Sequence, residues 1–203
     1  MIPKIIHYCW FGKGEKSAQI VRCINSWHKF FPDYQFMEWT EDNCNITEIP
    51  YIQQAYKEKK YAFVSDYIRI KVLKEYGGIY FDTDYEVINS MDNILSIGRL
   101  VTGMESKESV LTAMIAAEKD NNIISEFLTM YKDRKFIDEK GCMDMTPINK
   151  GFSSILAKYG VNLSLNELQI LESGIVIYPI DVLCGFDVEN WHEKITDKTL
   201  GVH

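Results

Sequence analysis

The sequence lacks any long apolar run: no stretch approaches the ~20 residues a helix needs to span a bilayer, so a soluble chain is expected. Its opening Met-Ile-Pro-Lys, followed by alternating side chains, lacks the apolar centre of a signal peptide. Cysteine is sparse. Cys9, Cys23, Cys44, Cys142 and Cys184 are scattered, odd in number and without a CxxC pair, which suggests neither a disulfide framework nor a thiolate zinc site. A reducing cytoplasm is the expected compartment. With 5 prolines, 12 glycines and no repeat or low-complexity segment, collagen-like and linker-rich designs are excluded. Positive charge is also short. The 22 Lys and Arg stand against 29 Asp and Glu, a net charge of −7, so no nucleic-acid partner held by phosphate neutralisation is expected.

What is present suffices for one compact domain: 203 residues, 46% hydrophobic and 13% aromatic. Charge is unevenly spread, with 11 basic against 9 acidic side chains up to residue 75 and 11 against 20 beyond it. Ordinary solvated surface accounts for this. The sharper alternative is a mildly basic face near phosphates or anionic lipid, with Lys57, Lys59 and Lys60 as its cluster.

Lys4 to Phe11 is a short apolar run closed by Gly12-Lys13-Gly14, which predicts a buried first strand and a glycine loop. Ile20, Ile24, Trp27 and Phe31 recur at helical spacing, predicting an amphipathic helix over 17–31. A second strand follows around Tyr34, Phe36 and Trp39, and Thr40-Glu41-Asp42 offers a helix start. Residues 61–76 form the strongest helical pattern, stopped by Gly77-Gly78. Ile79-Tyr80-Phe81 then reads as a buried strand. Further strands are expected at 99–104 and 175–179, and helices at 121–132 and 149–159. This alternation predicts an α/β fold with a mostly parallel sheet.

The chemistry gathers in Ser65-Asp66-Tyr67-Ile68-Arg69 and in Tyr76-Gly77-Gly78-Ile79-Tyr80-Phe81-Asp82-Thr83-Asp84. Asp82 and Asp84, two apart, leave an extended backbone on the same side. They follow an apolar strand, at the end where open α/β sheets place ligands. Two carboxylates there suit a hard divalent cation, Mg²⁺ or Mn²⁺. A bare DxD is more often a solvated turn, but the delivering strand and the nearby Asp–Arg pair favour the metal reading. Asp66 and Arg69, at i and i+3, share a helix face. Their ordinary reading is an intrahelical ion pair worth under ~1 kcal/mol. Beside an anionic ligand the same pair offers a hydroxyl acceptor and a charged donor.

These segments resemble the DxD-containing glycosyltransferases of family 32. That family includes capsular-polysaccharide sugar transferases, the yeast initiating mannosyltransferase group and, more distantly, the clostridial glucosylating toxins. The resemblance is carried by Ile2 to Gly12 and by Ser65 through Asp84, with softer matches at Thr146-Pro147 and at the closing Gly201-Val202-His203. It implies a single GT-A domain over 1–203, with a Rossmann-like, nucleotide-sugar-binding half at about 1–90 and an acceptor-side half at about 91–203. Because family members close on a longer His-to-Trp motif, C-terminal truncation is expected.

By the same resemblance, Trp10 stacks on the nucleobase, although a Trp ending a first strand is usually plain core. Asp66 and Arg69 contact the donor sugar and ribose region, and Tyr80, otherwise an ordinary strand aromatic, packs beside the donor. Asp82 holds ribose or sugar and reaches the metal through water, Asp84 binds the metal directly, and His203 lies near metal and diphosphate. A frayed surface histidine is the ordinary alternative for His203. The implied activity is metal-dependent, retaining transfer from a nucleotide-sugar, with UDP-sugars ahead of GDP-mannose. The implied acceptor is a saccharide or lipid-linked saccharide of surface or capsular polysaccharide synthesis, reached from the cytoplasmic membrane face with possible peripheral attachment. Two alternatives stand beside this. A haloacid-dehalogenase-like phosphotransferase also uses Asp-x-Asp after a strand, but usually with Thr or Val where this chain has Glu86, and earlier in the sequence. A non-catalytic nucleotide-sugar-binding relative is the other.

Overall fold

The opening apolar run folds as β1 (Ile5–Cys9), and Ser17 caps α1 (Ala18–Phe30) by accepting from the Ile20 amide. β2 (Gln35–Trp39) follows and pairs parallel to β1. The computed structural model describes residues 1–187 and 192–203. The helix start expected at Thr40 is not used. Asn43 Oδ1 accepts from the Thr40 amide and Asn43 Nδ2 donates to the Glu38 carbonyl, so these side chains close a turn instead. The helix begins ten residues later, as α2 (Pro50–Lys57), with proline in its first turn.

α3 (Tyr61–Tyr76) has the expected bounds and buries Val64, Asp66, Tyr67, Ile68, Arg69, Ile70, Val72 and Leu73. Burial around so much of its circumference marks it as the central helix. It ends at Gly77, whose φ is +66°. A Cβ on Gly78 would stand 2.5 Å from the Ile5 carbonyl oxygen, so glycine is what lets β3 (Gly78–Phe81) lie against β1.

Then come β4 (Glu86–Val87), α4 (Asp92–Leu95), β5 (Leu100–Ser106), β6 (Ser109–Val110), β7 (Met114–Ala117), α5 (Asn122–Thr129) and α6 (Ile148–Lys158). The chain continues through β8 (Gln169–Ile170), β9 (Ile175–Tyr178), α7 (Ile180–Leu183), β10 (Phe186–Asp187), β11 (His192–Glu193) and β12 (Gly201–Val202). The main sheet has the order β2-β1-β3-β7-β5-β9-β8, with β6 paired to β5. β1 runs parallel to β2 and β3, and β5 parallel to β9. β7 is reversed against both its neighbours.

Successive strand residues enter opposite layers, as the two-residue period of a strand requires. Ile79 and Phe81 belong to the core layer that also holds Trp27 of α1 and Val182 of α7, while Tyr80 belongs to the opposite layer, with Ile68 of α3 and Phe152 of α6. The α/β layering with helices on both faces agrees with the expected GT-A class. Among the described residues no helix is long and apolar enough to cross a membrane, and all five cysteines are free thiols.

Candidate active site

Because β1 and β3 are neighbours and parallel, their carboxyl ends open on one edge of the sheet. β1 delivers Trp10 and Phe11 there, β3 delivers Asp82, Thr83 and Asp84, and α3 presents Tyr61, Ser65 and Arg69 at successive four-residue steps. His203 arrives from the far end of the sequence. β12 pairs antiparallel with β4, and the His203 amide donates to the Cys184 carbonyl at 2.9 Å. Together these residues wall a cavity of about 380 Å³. Of the sequence-predicted residues, Trp10, Arg69, Tyr80, Asp82, Asp84 and His203 line it directly, and Asp66 stands behind Arg69.

Trp10 is only half-buried, so its plain-core alternative does not hold. Its Nε1 donates to the Gly14 carbonyl at 2.7 Å, and Lys16 lies 5.4 Å from its ring centroid. Tyr80 is more than a strand aromatic: its hydroxyl donates to Asp82 Oδ1 at 3.0 Å. His203 is not frayed, since its backbone is paired and its imidazole stands between Asp84 (3.5 Å) and Glu105 (4.0 Å).

Arg69 is the hub. Nη2 donates to Asp66 Oδ1 at 2.8 Å, and Nη1 donates to both Asp82 Oδ2 and the Thr112 carbonyl at 2.9 Å. Its guanidinium lies 4.7 Å from the Tyr80 ring centroid. Burial opposes its charge, but Asp82, Tyr80 and Asp66 hold it protonated well above the ordinary arginine range. Burial pushes the Asp66 carboxyl up to about 6 despite the opposing pull of Arg69. The Asp66–Arg69 pair is therefore not the exposed, weak pair of the ordinary reading. With side chains only 10% and 5% exposed, loss of either partner strands a buried charge.

The DxD geometry also departs from expectation. β3 ends at Phe81, and the Tyr85 amide donates to the Asp82 carbonyl at 2.9 Å, so the pair lies in a turn rather than on extended backbone. The two carboxylates consequently take different partners. Asp82 is committed to Arg69 and Tyr80, whereas Asp84 is exposed and faces His203. The hydrogen bond from His203 holds the Asp84 carboxyl below its usual range. Asp84, Asp82 and Glu105 together raise the His203 imidazole against the effect of burial. Among the described residues no three His, Cys, Asp or Glu side chains converge closely enough to hold a metal ion by themselves.

Sequence reasoning passed over Tyr61 and Ser65 as site residues. Their spacing of four from each other and from Arg69 was the available signal. It also passed over Glu105, which accepts from Asn149 Nδ2 at 2.6 Å and neighbours His203. No local pattern marks that residue.

Comparison with known proteins finds a family match for part of the chain. A family described as "Glycosyltransferase sugar-binding region containing DXD motif" matches residues 17–100, which include Asp66, Arg69, Tyr80, Asp82 and Asp84. Inositol phosphoceramide mannosyltransferase 3 of Schizosaccharomyces pombe is 32% identical over 98 residues, covering 46% of this chain and 27% of that protein. The match thus spans about a quarter of that relative's length. Uncharacterized glycosyltransferase L373 of Acanthamoeba polyphaga mimivirus is 24% identical over 187 residues, covering 85% of this chain and 72% of the viral protein. The solved PaToxG glycosyltransferase shares the fold with a TM-score of 0.55 at 20% identity, over 78% of this chain and 69% of that one. Residues 17–100 are therefore similar to the glycosyltransferase sugar-binding region containing the DXD motif, and the chain shares the fold of a solved glycosyltransferase.

Proposed function

We propose that this chain transfers a sugar from a nucleoside-diphosphate donor, a UDP-sugar, to a saccharide or lipid-linked saccharide acceptor, with retention at the anomeric carbon. The observation that carries the reading is that one cavity combines an accessible indole, a buried guanidinium with two carboxylates, and an exposed carboxylate beside a histidine. Trp10 and Tyr61 offer faces for a nucleobase and Ser65 a hydroxyl for its edge or for the ribose. Asp66 and Arg69 orient the donor sugar. Asp82, its carboxylate held by Arg69 and Tyr80, presents a fixed rather than a swinging group to the ribose or sugar.

The donor set fits a divalent cation that shares its shell with a diphosphate. Asp84 and His203 would hold it, Asp82 would face it through water, and phosphate oxygens and water would complete the set. Once bound, Mn²⁺ or Mg²⁺ would act as a Lewis acid on the leaving diphosphate. Arg69 adds a fixed positive charge that needs no reorganisation as negative charge develops on the leaving group. Asp66, ionised at neutral pH although its carboxyl titrates near 6, accepts from a sugar hydroxyl. No side chain stands free as a nucleophile among the DxD residues, which favours attack on the same face. The double engagement of Asp82 likewise weighs against the aspartyl-phosphate chemistry of a phosphotransferase.

Surface or capsular polysaccharide synthesis at the cytoplasmic membrane face is the setting we propose. Lys57 and Lys59, exposed at the end of α2, would be available to anionic lipid there. A donor-hydrolysis screen across nucleotide-sugars with Mn²⁺ and Mg²⁺ tests the function: turnover of one donor with release of its nucleoside diphosphate is expected. Phosphomonoester hydrolysis without nucleotide-sugar turnover would replace the reading with the phosphotransferase. Binding of a nucleotide-sugar that never turns over, alone or with saccharide acceptors, would make the chain a binding module.

A further inference from the structure

Glu105 neighbours the donor cavity through His203, and the chemistry proposed above gives it no part. It lies near the end of β5, where Met104 pairs with Val110 of β6 and Ser106 with Ser109. Glu105 therefore stands opposite no residue, the pattern of a β-bulge. Bulges re-aim a side chain, and they gather next to active sites. The carboxylate is held by one of its oxygens: Oε2 accepts from Asn149 Nδ2 at 2.6 Å and, more distantly, from the Ser109 hydroxyl at 3.5 Å. Among the described residues no hydrogen bond engages Oε1, and that oxygen faces His203 Nδ1 at 4.0 Å.

The His203 imidazole thus lies between two carboxylates, with Nε2 toward exposed Asp84 at 3.5 Å and Nδ1 toward the more buried Glu105. A ring nitrogen that binds a cation uses its lone pair, so the proton of the neutral ring must sit on the other nitrogen. A cation taken by Nε2 beside Asp84 leaves that proton on Nδ1, where Glu105 Oε1 is the acceptor it faces. Metal-binding histidines are commonly oriented by a carboxylate in this way. At 4.0 Å the contact is electrostatic rather than a hydrogen bond, and a negative charge there favours a proton on the facing nitrogen. Glu105 is not itself one of the ligands. Among the described residues no three acidic, histidine or cysteine side chains converge on one point, and Glu105 stands behind His203 rather than in the cavity wall.

We infer that Glu105 is a positioning residue: anchored by Asn149, it sets the direction and tautomer of the His203 imidazole so that Nε2 is presented beside Asp84 to the cation. This rests on the reading above that Asp84 and His203 hold a divalent cation with the donor diphosphate, and adds to it a residue that acts through His203.

The test is Mn²⁺ binding with saturating UDP, read from the electron paramagnetic resonance signal of free Mn²⁺ against UDP alone, in a double-mutant cycle of His203→Ala and Glu105→Gln. The glutamine keeps an oxygen for Asn149, so the melting temperature of the metal-free protein should stay near that of the wild type. Its Mn²⁺ affinity should fall by about 10-fold or more, the scale for losing a residue that orients a ligand. His203→Ala should weaken binding by at least as much. In the His203→Ala background, Glu105→Gln should change affinity by less than about two-fold, because the group it acts through is gone. Asn149→Leu, which frees the carboxylate without removing it, should weaken binding in the wild type and be silent in that background. It carries the cycle if the glutamine variant melts early. Wild-type affinity in Glu105→Gln would overturn the inference, leaving Glu105 no part in the site. Equal losses in both backgrounds would overturn it too, since Glu105 would then act on the cation by charge or on the fold as a whole. A His203→Ala protein with wild-type affinity would take His203 off the cation, and this inference with it. Failure of the wild type to bind Mn²⁺ with UDP would instead remove the cation reading on which the inference rests.

Discussion

Arg69 Nη1 lies 2.9 Å from Asp82 Oδ2, which makes a residue of the central helix and the first DxD carboxylate one unit. The other terminal nitrogen of the same guanidinium holds Asp66. Arg69 therefore bridges the sugar-orienting carboxylate and the DxD turn, whose Asp82 is held by the Tyr80 hydroxyl as well. Arg69→Met should lower stability by ~3–5 kcal/mol in urea unfolding, the cost of stranding a buried charge. A loss under ~1 kcal/mol would mean that the pair behaves like a surface ion pair.

Asp84 is the exposed member of the DxD pair, with 59% of its side chain accessible, and its described ion-pair partner is His203. Asp84→Asn should leave the melting temperature nearly unchanged. Metal-dependent donor turnover should fall by about 100-fold or more, the scale of losing a charge-stabilising contact at a reacting centre. Full turnover with undiminished Mn²⁺ dependence would take Asp84 out of the site.

His7, in the opening apolar strand, is a buried neutral histidine. Its Nε2 donates to the Gly77 carbonyl at 2.8 Å, and its Nδ1 accepts from Trp39 Nε1 at 3.2 Å. Burial lowers its pKa from 6.5 to about 4, with the Gly77 bond pulling weakly the other way. The unfolded chain therefore takes up this proton first on acidification. Stability present above about pH 6.5 is lost as pH falls toward 4, by on the order of 3 kcal/mol from this group. Asp66, whose folded pKa is raised, acts in the opposite sense between its ordinary value and about 6. Subtracting the urea-unfolding profile of His7→Gln from that of the wild type isolates the histidine. The difference should be flat above pH 7 and decline below it; a flat difference down to pH 4 would mean that His7 titrates normally.

Gly12 sets the loop that carries Trp10. Its φ is +91°, and a Cβ there would stand 2.3 Å from a ring carbon of Tyr61. Its amide donates to Glu41, which also accepts from the Tyr56 hydroxyl. Gly12→Ala should cost ~1–3 kcal/mol of backbone strain. By moving Tyr61 off the loop it should also weaken UDP binding, by about 10-fold if near 1.4 kcal/mol of that strain falls on the bound form. Tryptophan fluorescence titration reads the binding. Wild-type affinity would show that the Trp10–Tyr61 wall does not hold the base.

The short-range features were written in the sequence. Periodicity and Gly77 mark α3 and its end, the run Ile79–Phe81 marks a buried strand, and the DxD behind it marks the functional edge. These follow from propensity and side-chain period, which a few neighbouring residues set. Thr40 misled because Asn43 closes a turn on the same backbone groups that a helix start would use. The tertiary structure alone decided which groups meet. It reversed β7 between β3 and β5, turned the DxD so that Asp82 faces Arg69 while Asp84 faces His203, and buried an Asp–Arg pair that local spacing describes as a weak surface contact. It also placed Arg134, Tyr51 and Tyr131, distant in sequence, against one another. Burial and charge pairing depend on neighbours that arrive only when the sheet and helices pack, so no local pattern in the chain could specify them.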